Sequence, residues 1–116
     1  MGFHFESNNK IKIEIEDNIY NAVAGAQFEK IAKKYKKIAL DLADKVENGE
    51  LSEDEAEKMM LDNTEKEIDE ILGKGSSAKI FEGRERNAYD WASVLTYISD
   101  CVYPSQSKYT TRKRWI

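Results

Sequence analysis

Hydrophobic and polar residues alternate strictly near the start of the chain. Isoleucine occupies every second position from 11 to 15, with charged residues between, and this period of two in β-branched residues predicts a half-buried strand. After a turn predicted at residues 17–18, the alternation resumes with Ile19, Asn21 and Val23. We therefore expect a β-hairpin, or a small meander, whose apolar face is covered by a helix.

The hydrophobic period lengthens to three or four residues beyond Ala24, which predicts an amphipathic helix over about residues 25–48. Its apolar stripe consists of Phe28, Ile31, Tyr35, Ile38, Leu42 and Val46, and its other face carries lysines 30, 33, 34, 36 and 37. Gly49 follows the helix and suits a left-handed cap.

A second helix is predicted over about residues 52–73. Ser52 and Glu55 have the spacing of a capping box, in which each side chain accepts a hydrogen bond from the other residue's backbone N–H. The apolar stripe of this helix is Ala56, Met59, Met60, Ile68, Ile71 and Leu72. The short connection between the two helices favours an antiparallel pair.

The stretch GKGSSAKIFEGR, residues 73–84, separates this pair from the last helix. We interpret Gly73, Gly75 and Gly83 as a hinge around a short helix over about residues 76–82. The last helix is predicted at about 87–103, with Asn87 and Asp90 at its start. Its apolar face consists of Trp91, Val94, Leu95, Ile98 and Val102.

These patterns predict an α+β fold, mainly α, with an N-terminal β-hairpin or small meander followed by a three- to four-helix bundle. At 116 residues the chain is long enough for one core. Residues 1–103 form the single domain, with strands within about 3–23, and residues 104–116 form a basic flexible tail.

Candidate catalytic residues are scarce. The chain has one histidine, His4, and one cysteine, Cys101, which is spaced as a small core residue of the last helix. No set of nucleophile, base and orienting group can be assembled from the sequence. We therefore expect a protein that is not an enzyme and needs no metal or cofactor.

The net charge of −4 is unevenly distributed. The tail carries Lys108, Arg112, Lys113 and Arg114 and no acidic residue, so the rest of the chain is more acidic than the whole. An acidic body makes nucleic acid an unlikely partner. No apolar run is long enough to cross a membrane, so we expect no membrane association.

One group of apolar residues is a candidate partner-binding surface. It comprises Met59, Met60, Ile68, Ile71, Leu72, Ile80, Phe81 and Trp91. Methionine-rich faces adapt to apolar helices of many shapes. Two interpretations of Ile80 and Phe81 stay open: they form a latch that contacts the helical pair or a second subunit, or they close the chain's own core.

The order of segments resembles a known family. The motifs IDEILGKGSSAKIF, EGRERN and YDWASVLTYISDCV, preceded by KIKIEIEDNIYNAV and followed by KYTTRKRWI, are similar to those of the tail assembly chaperones of long-tailed (siphovirus-type) phages that infect Firmicutes. The likeness covers most of the chain and is strongest from Ile68 to Val102.

This resemblance implies a non-catalytic function. Such chaperones bind the apolar helices of the tape measure protein and keep it soluble during tail morphogenesis. They act in the bacterial host cytoplasm, many form homo-oligomers, and they are not expected in the mature virion. Two alternatives are a small cytoplasmic regulator that binds nucleic acid through its basic tail, and a structural head–tail component.

Overall fold

A computed structural model describes residues 10–102 of the chain. Its elements are the strands β1 (Lys10–Ile15) and β2 (Asn18–Val23) and the helices α1 (Gly25–Glu47), α2 (Glu53–Leu72), α3 (Ser76–Ile80) and α4 (Ala88–Val102). The predicted mainly helical α+β fold, with an N-terminal hairpin and four helices, is confirmed. The strand predicted before residue 10 and the tail at 104–116 lie outside the described residues.

The hairpin corrects the sequence interpretation by one residue. The turn is at Glu16-Asp17, both with positive φ, rather than at residues 17–18. Ile13 therefore pairs with Tyr20, and β2 buries Tyr20 and Ala22 while Ile19 is 68% exposed. A two-residue turn at 17–18 would pair Ile13 with Ala22 instead, which moves the register by two residues and leaves the same side chains of β2 on the face of Ile13.

Helices α1 and α2 form an antiparallel hairpin of their own, with the predicted local signals in place. Gly49 has φ +79°, in the left-handed region, and the chain turns there. Ser52 and Glu55 make both bonds of the capping box, each at 3.1 Å. These bonds start α2 at a defined residue.

The core lies at the end of this helical hairpin that contacts the strands. Helix α2 is central to it, because it contacts α1, α3, α4 and β2. The largest fully buried side chains are Ile13, Ile68, Ile71, Trp91 and Ile98. The apolar face of the β-hairpin is thus covered by helices, as two strands require. Leu42 is also buried but lies outside this core cluster.

Helix α4 begins as its sequence predicts. The Asn87 side chain accepts a hydrogen bond from the Asp90 N–H at 2.8 Å and donates one to the Asp90 carboxylate at 2.9 Å. At the other end of the core, the Tyr97 hydroxyl donates to the Glu14 carbonyl at 2.9 Å and ties α4 to β1. These bonds define the start of α4 and its contact with β1.

Candidate functional site

Six of the eight residues predicted to bind a partner lie in the core of the single chain. They are Ile68, Ile71, Leu72, Ile80, Phe81 and Trp91, each with at most 7% of its surface exposed. Ile80 and Phe81 thus pack within the single chain, and their role as a latch stays a prediction. A partner could reach these six side chains only after a change in the fold.

Phe81 and Trp91 stack on one another, with ring centroids 3.6 Å apart and planes 8° from parallel. The Trp91 indole N–H donates to the Glu65 carboxylate at 2.7 Å. Arg86 holds the same carboxylate and also Asp62 in salt bridges. The short segment after α3 is thus joined to α4 by the stacking of Phe81 on Trp91 and to α2 by the salt bridges of Arg86.

The three predicted hinge glycines all have positive φ. Gly75 at +87° and Gly83 at +78° have open space where a side chain would begin, so backbone conformation alone requires glycine there. Between them, the Ser77 N–H donates to the Asp69 carboxylate at 2.8 Å. Static turns account for these glycines in the folded chain, and movement about them stays a prediction.

The two methionines of the predicted surface have different environments. Met59 is 41% exposed. Met60 is half-buried and lines an open groove between α1 and α2, at the end of the helical hairpin away from the β-strands. We call this the tip groove; its apolar lining is Ala39, Leu42, Ala43, Val46, Ala56 and Met60.

Acidic side chains form the edge of the tip groove that belongs to α2. They are Glu53, Asp54 and Glu57, all exposed. The acids in the first turn also stabilise α2 through its macrodipole. The groove therefore combines an apolar floor with a negative rim. Ala39 and Ala43 were not predicted from the sequence, although Val46 and Ala56, at the distal ends of the two predicted stripes, mark the place of the groove.

A second polar cluster lies on the opposite half of the α1–α2 interface. The Tyr35 hydroxyl donates a hydrogen bond to the Glu70 carboxylate, which Lys34 also contacts at 2.8 Å. Hydrogen bonds from Lys34 and Tyr35 hold the pKa of Glu70 below its usual value. Burial, together with the bond to Glu70, raises the pKa of Tyr35.

Glu67 is the buried acid beside this cluster. Its side chain is 9% exposed, and burial and the nearby charge of Glu70 raise its pKa to about 7. No residue in 10–102 gives it a hydrogen bond or a salt bridge. The sequence contained a signal: Glu67 occurs four residues before Ile71 and seven after Met60, at an apolar position of the helix.

Other candidate chemistry is limited within the part of the chain that the structure describes. There, no group of three or more histidine, cysteine, aspartate or glutamate side chains is arranged to hold a metal ion. Cys101 is half-buried and packs against the core. No helix in residues 10–102 has the length and hydropathy needed to cross a membrane. His4 and the four basic tail residues lie outside this range.

Comparisons with known proteins identified no relative of this chain. No protein-family model, curated protein or solved structure matches the chain. The tip groove and the order of motifs along the sequence are the features that bear on function.

Proposed function

We propose that this protein is a tail assembly chaperone that binds the tape measure protein of a long-tailed phage and keeps it soluble while the tail forms. It does so without catalysis, in the host cytoplasm, and is not retained in the mature virion. The observation that supports this function best is the tip groove, since an open apolar groove between two helices accepts the apolar face of a third.

The composition of the groove indicates the kind of client segment. Its floor of alanine, valine, leucine and methionine side chains matches aliphatic residues at helical spacing. Its rim at Glu53, Asp54 and Glu57 favours lysine or arginine beside that apolar face. We therefore expect the bound segment to be an amphipathic helix with basic flanks.

The tip groove, as the proposed client-binding surface, includes only one of the eight residues that the sequence predicted to bind a partner. Met60 belongs to the groove, and Met59 lies next to it on the exposed side of α2. Thr64 lies one turn further along α2, and its hydroxyl donates a hydrogen bond to the backbone carbonyl of Met60 at 2.8 Å. The apolar lining of the groove thus ends at Met60 on this helix.

The experiment is co-expression with the tape measure protein of the same phage genome, followed by size-exclusion chromatography with light scattering. We expect the tape measure chain to become soluble and to elute with this protein. If it stays insoluble while this protein elutes alone, the proposal is wrong.

Met60→Glu and Met59→Glu are a matched pair for the same assay. Both add one negative charge to neighbouring positions of α2, but only Met60 lines the groove. We expect Met60→Glu to abolish co-elution and Met59→Glu to retain it, with thermal melting to verify that both variants fold. Equal loss in both variants would place the client elsewhere.

Two further measurements test the alternative functions. A regulator that binds nucleic acid through its tail would bind in a steeply salt-dependent way and lose binding without residues 105–116. A structural head–tail component would be found in purified virions by mass spectrometry, whereas a chaperone would be absent or scarce.

A further inference from the structure

Helix α1 carries an exposed stripe of unusual symmetry, on the face next to the tip groove. Leu40 is 59% exposed. Four residues before and after it are Lys36 and Asp44, and seven residues before and after it are Lys33 and Glu47. Positions at these spacings lie on one face of a helix. We call these five residues the charge stripe.

The four charged side chains of the stripe have no partner among residues 10–102, and the stripe faces solvent. All are exposed. In the described range, none takes part in a salt bridge or a side-chain hydrogen bond. The salt bridges of α1 use other residues, Lys34 with Glu70 and Lys45 with Asp41.

The order of charge along the stripe also opposes the dipole of its own helix. Acids are favourable near a helix N-terminus and lysines near its C-terminus. Helix α2 follows this rule with three acids in its first turn. Helix α1 has no acid in its first turn, and Asp44 and Glu47 lie in its last. The stability of α1 alone does not explain this arrangement.

A second copy of the stripe, running antiparallel, is complementary to the first. With Leu40 against Leu40 of the other copy on a twofold axis, Lys36 faces Asp44 and Lys33 faces Glu47. The same two pairs recur on the other side of the axis, because such an interface is self-complementary. Antiparallel packing also sets the two helix dipoles in favourable opposition.

We propose that the charge stripe is a homodimer interface in which α1 packs antiparallel on α1 of a second copy. The contact is small and its ion pairs are exposed, so the dimer exchanges with monomer and weakens at high salt. This inference does not depend on the proposed function, and its test contains no client.

The test is a charge exchange on the full chain, followed by sedimentation equilibrium. One variant, Lys33→Glu with Lys36→Glu, makes the stripe entirely acidic. The other, Asp44→Lys with Glu47→Lys, makes it entirely basic. We expect the wild type to dimerise with increasing concentration, and each variant alone to sediment as the 13.4 kDa monomer, with affinity at least about tenfold weaker.

Mixing the two variants decides the proposal. Every glutamate of the acidic stripe then faces a lysine of the basic one, so a 1:1 heterodimer forms. The control is Lys58→Glu with Lys66→Glu, an equal charge change at exposed positions of α2, and it should dimerise like the wild type. A monomeric wild type, variants that still dimerise alone, or a mixture that stays monomeric would each overturn the interface.

Discussion

Glu67 is a buried carboxyl group on α2, next to the buried Ile68 and one turn before the buried Ile71. Its folded-state pKa is about 7, against an ordinary value of 4.5. Because burial disfavours the ionised form, the contribution of Glu67 to stability is most favourable below pH 4.5. It declines as the pH rises towards 7, and above pH 7 the ionised group is fully destabilising.

Glu67→Gln should therefore stabilise the protein in a pH-dependent way. At about 1.4 kcal/mol per pKa unit, the rise from 4.5 to about 7 sets an upper limit of about 3.5 kcal/mol. Because solvent screens part of the charge, we expect the free energy of unfolding to rise by roughly 2–3 kcal/mol at pH 8 and by much less at pH 5. Urea denaturation at both pH values measures this. Glu57→Gln, an exposed site on the same helix, is the control and should have little effect at either pH.

The two interpretations of Phe81, as a latch and as a core residue, predict opposite effects of its truncation on the stability of the protein. Since it is 7% exposed and stacked on Trp91, Phe81→Ala should lower the free energy of unfolding by about 3–5 kcal/mol. Thermal melting gives the result, and Phe81→Leu should cost less because it keeps more of the side-chain volume. An unchanged melting transition with lost client binding would support the latch instead.

The sequence was sufficient to predict interactions between residues close together in the chain. It was not sufficient to predict the environment that the fold creates around a side chain. The Ser52–Glu55 box and the Gly49 turn involve residues three apart or a single backbone conformation, so the sequence contains all that determines them. The pKa of Glu67 depends on Glu70 and on burial against α1. The pairing of Trp91 with Glu65 joins residues 26 apart, and no local pattern specifies it.

At the scale of elements, the β-hairpin shows how much depends on one turn residue. Glu16 and Asp17 both have left-handed φ, at +50° and +66°. Two-residue hairpin turns of this kind favour glycine at the second position. The Arg84 guanidinium forms a salt bridge with the Glu16 carboxylate at 2.9 Å. A substitution at Asp17 leaves this salt bridge in place.

Asp17→Gly should stabilise the hairpin, because glycine adopts positive φ without the steric cost that other residues bear. We expect a gain of up to about 1 kcal/mol in the free energy of unfolding, measured by urea denaturation. Asp17→Val, a β-branched residue poorly suited to this conformation, should lose stability. A loss with glycine as well would mean that the Asp17 side chain itself supports the turn.

The helices were predictable to within one or two residues because their apolar periods are long. The strand register was not, since Asp17-Asn18 and Glu16-Asp17 are similar as turn sequences. The difference between Met59 and Met60 was equally hidden. Both fit the same stripe, and only the position of α1 across from α2 decides which of them lines the groove.

At the scale of the molecule, stability is unevenly distributed along the α1–α2 hairpin. Near the strands, both helices contribute to a cluster that includes residues from every element. Towards the tip, beyond the core cluster, Leu42 is buried, and Ile38 and Val46 are half-buried. Regions with few buried apolar contacts open at lower free energy than the core.

Amide hydrogen exchange should therefore divide each long helix in two. We expect the amides of roughly residues 43–58 to exchange through local opening, and those of residues 66–72 only through global unfolding. Exchange followed by mass spectrometry of peptides compares the two halves. Uniform protection along α2 would contradict this division.

Between the two ends of the α1–α2 hairpin, the groove consequently lies at the one that rearranges at lower free energy. Fraying of the last turn of α1, or a change of rotamer at Met60, alters the width of the groove while the core around Trp91 stays closed. Under the proposed function, such a groove adjusts to successive, differing segments along one very long client, and the folded state survives each adjustment.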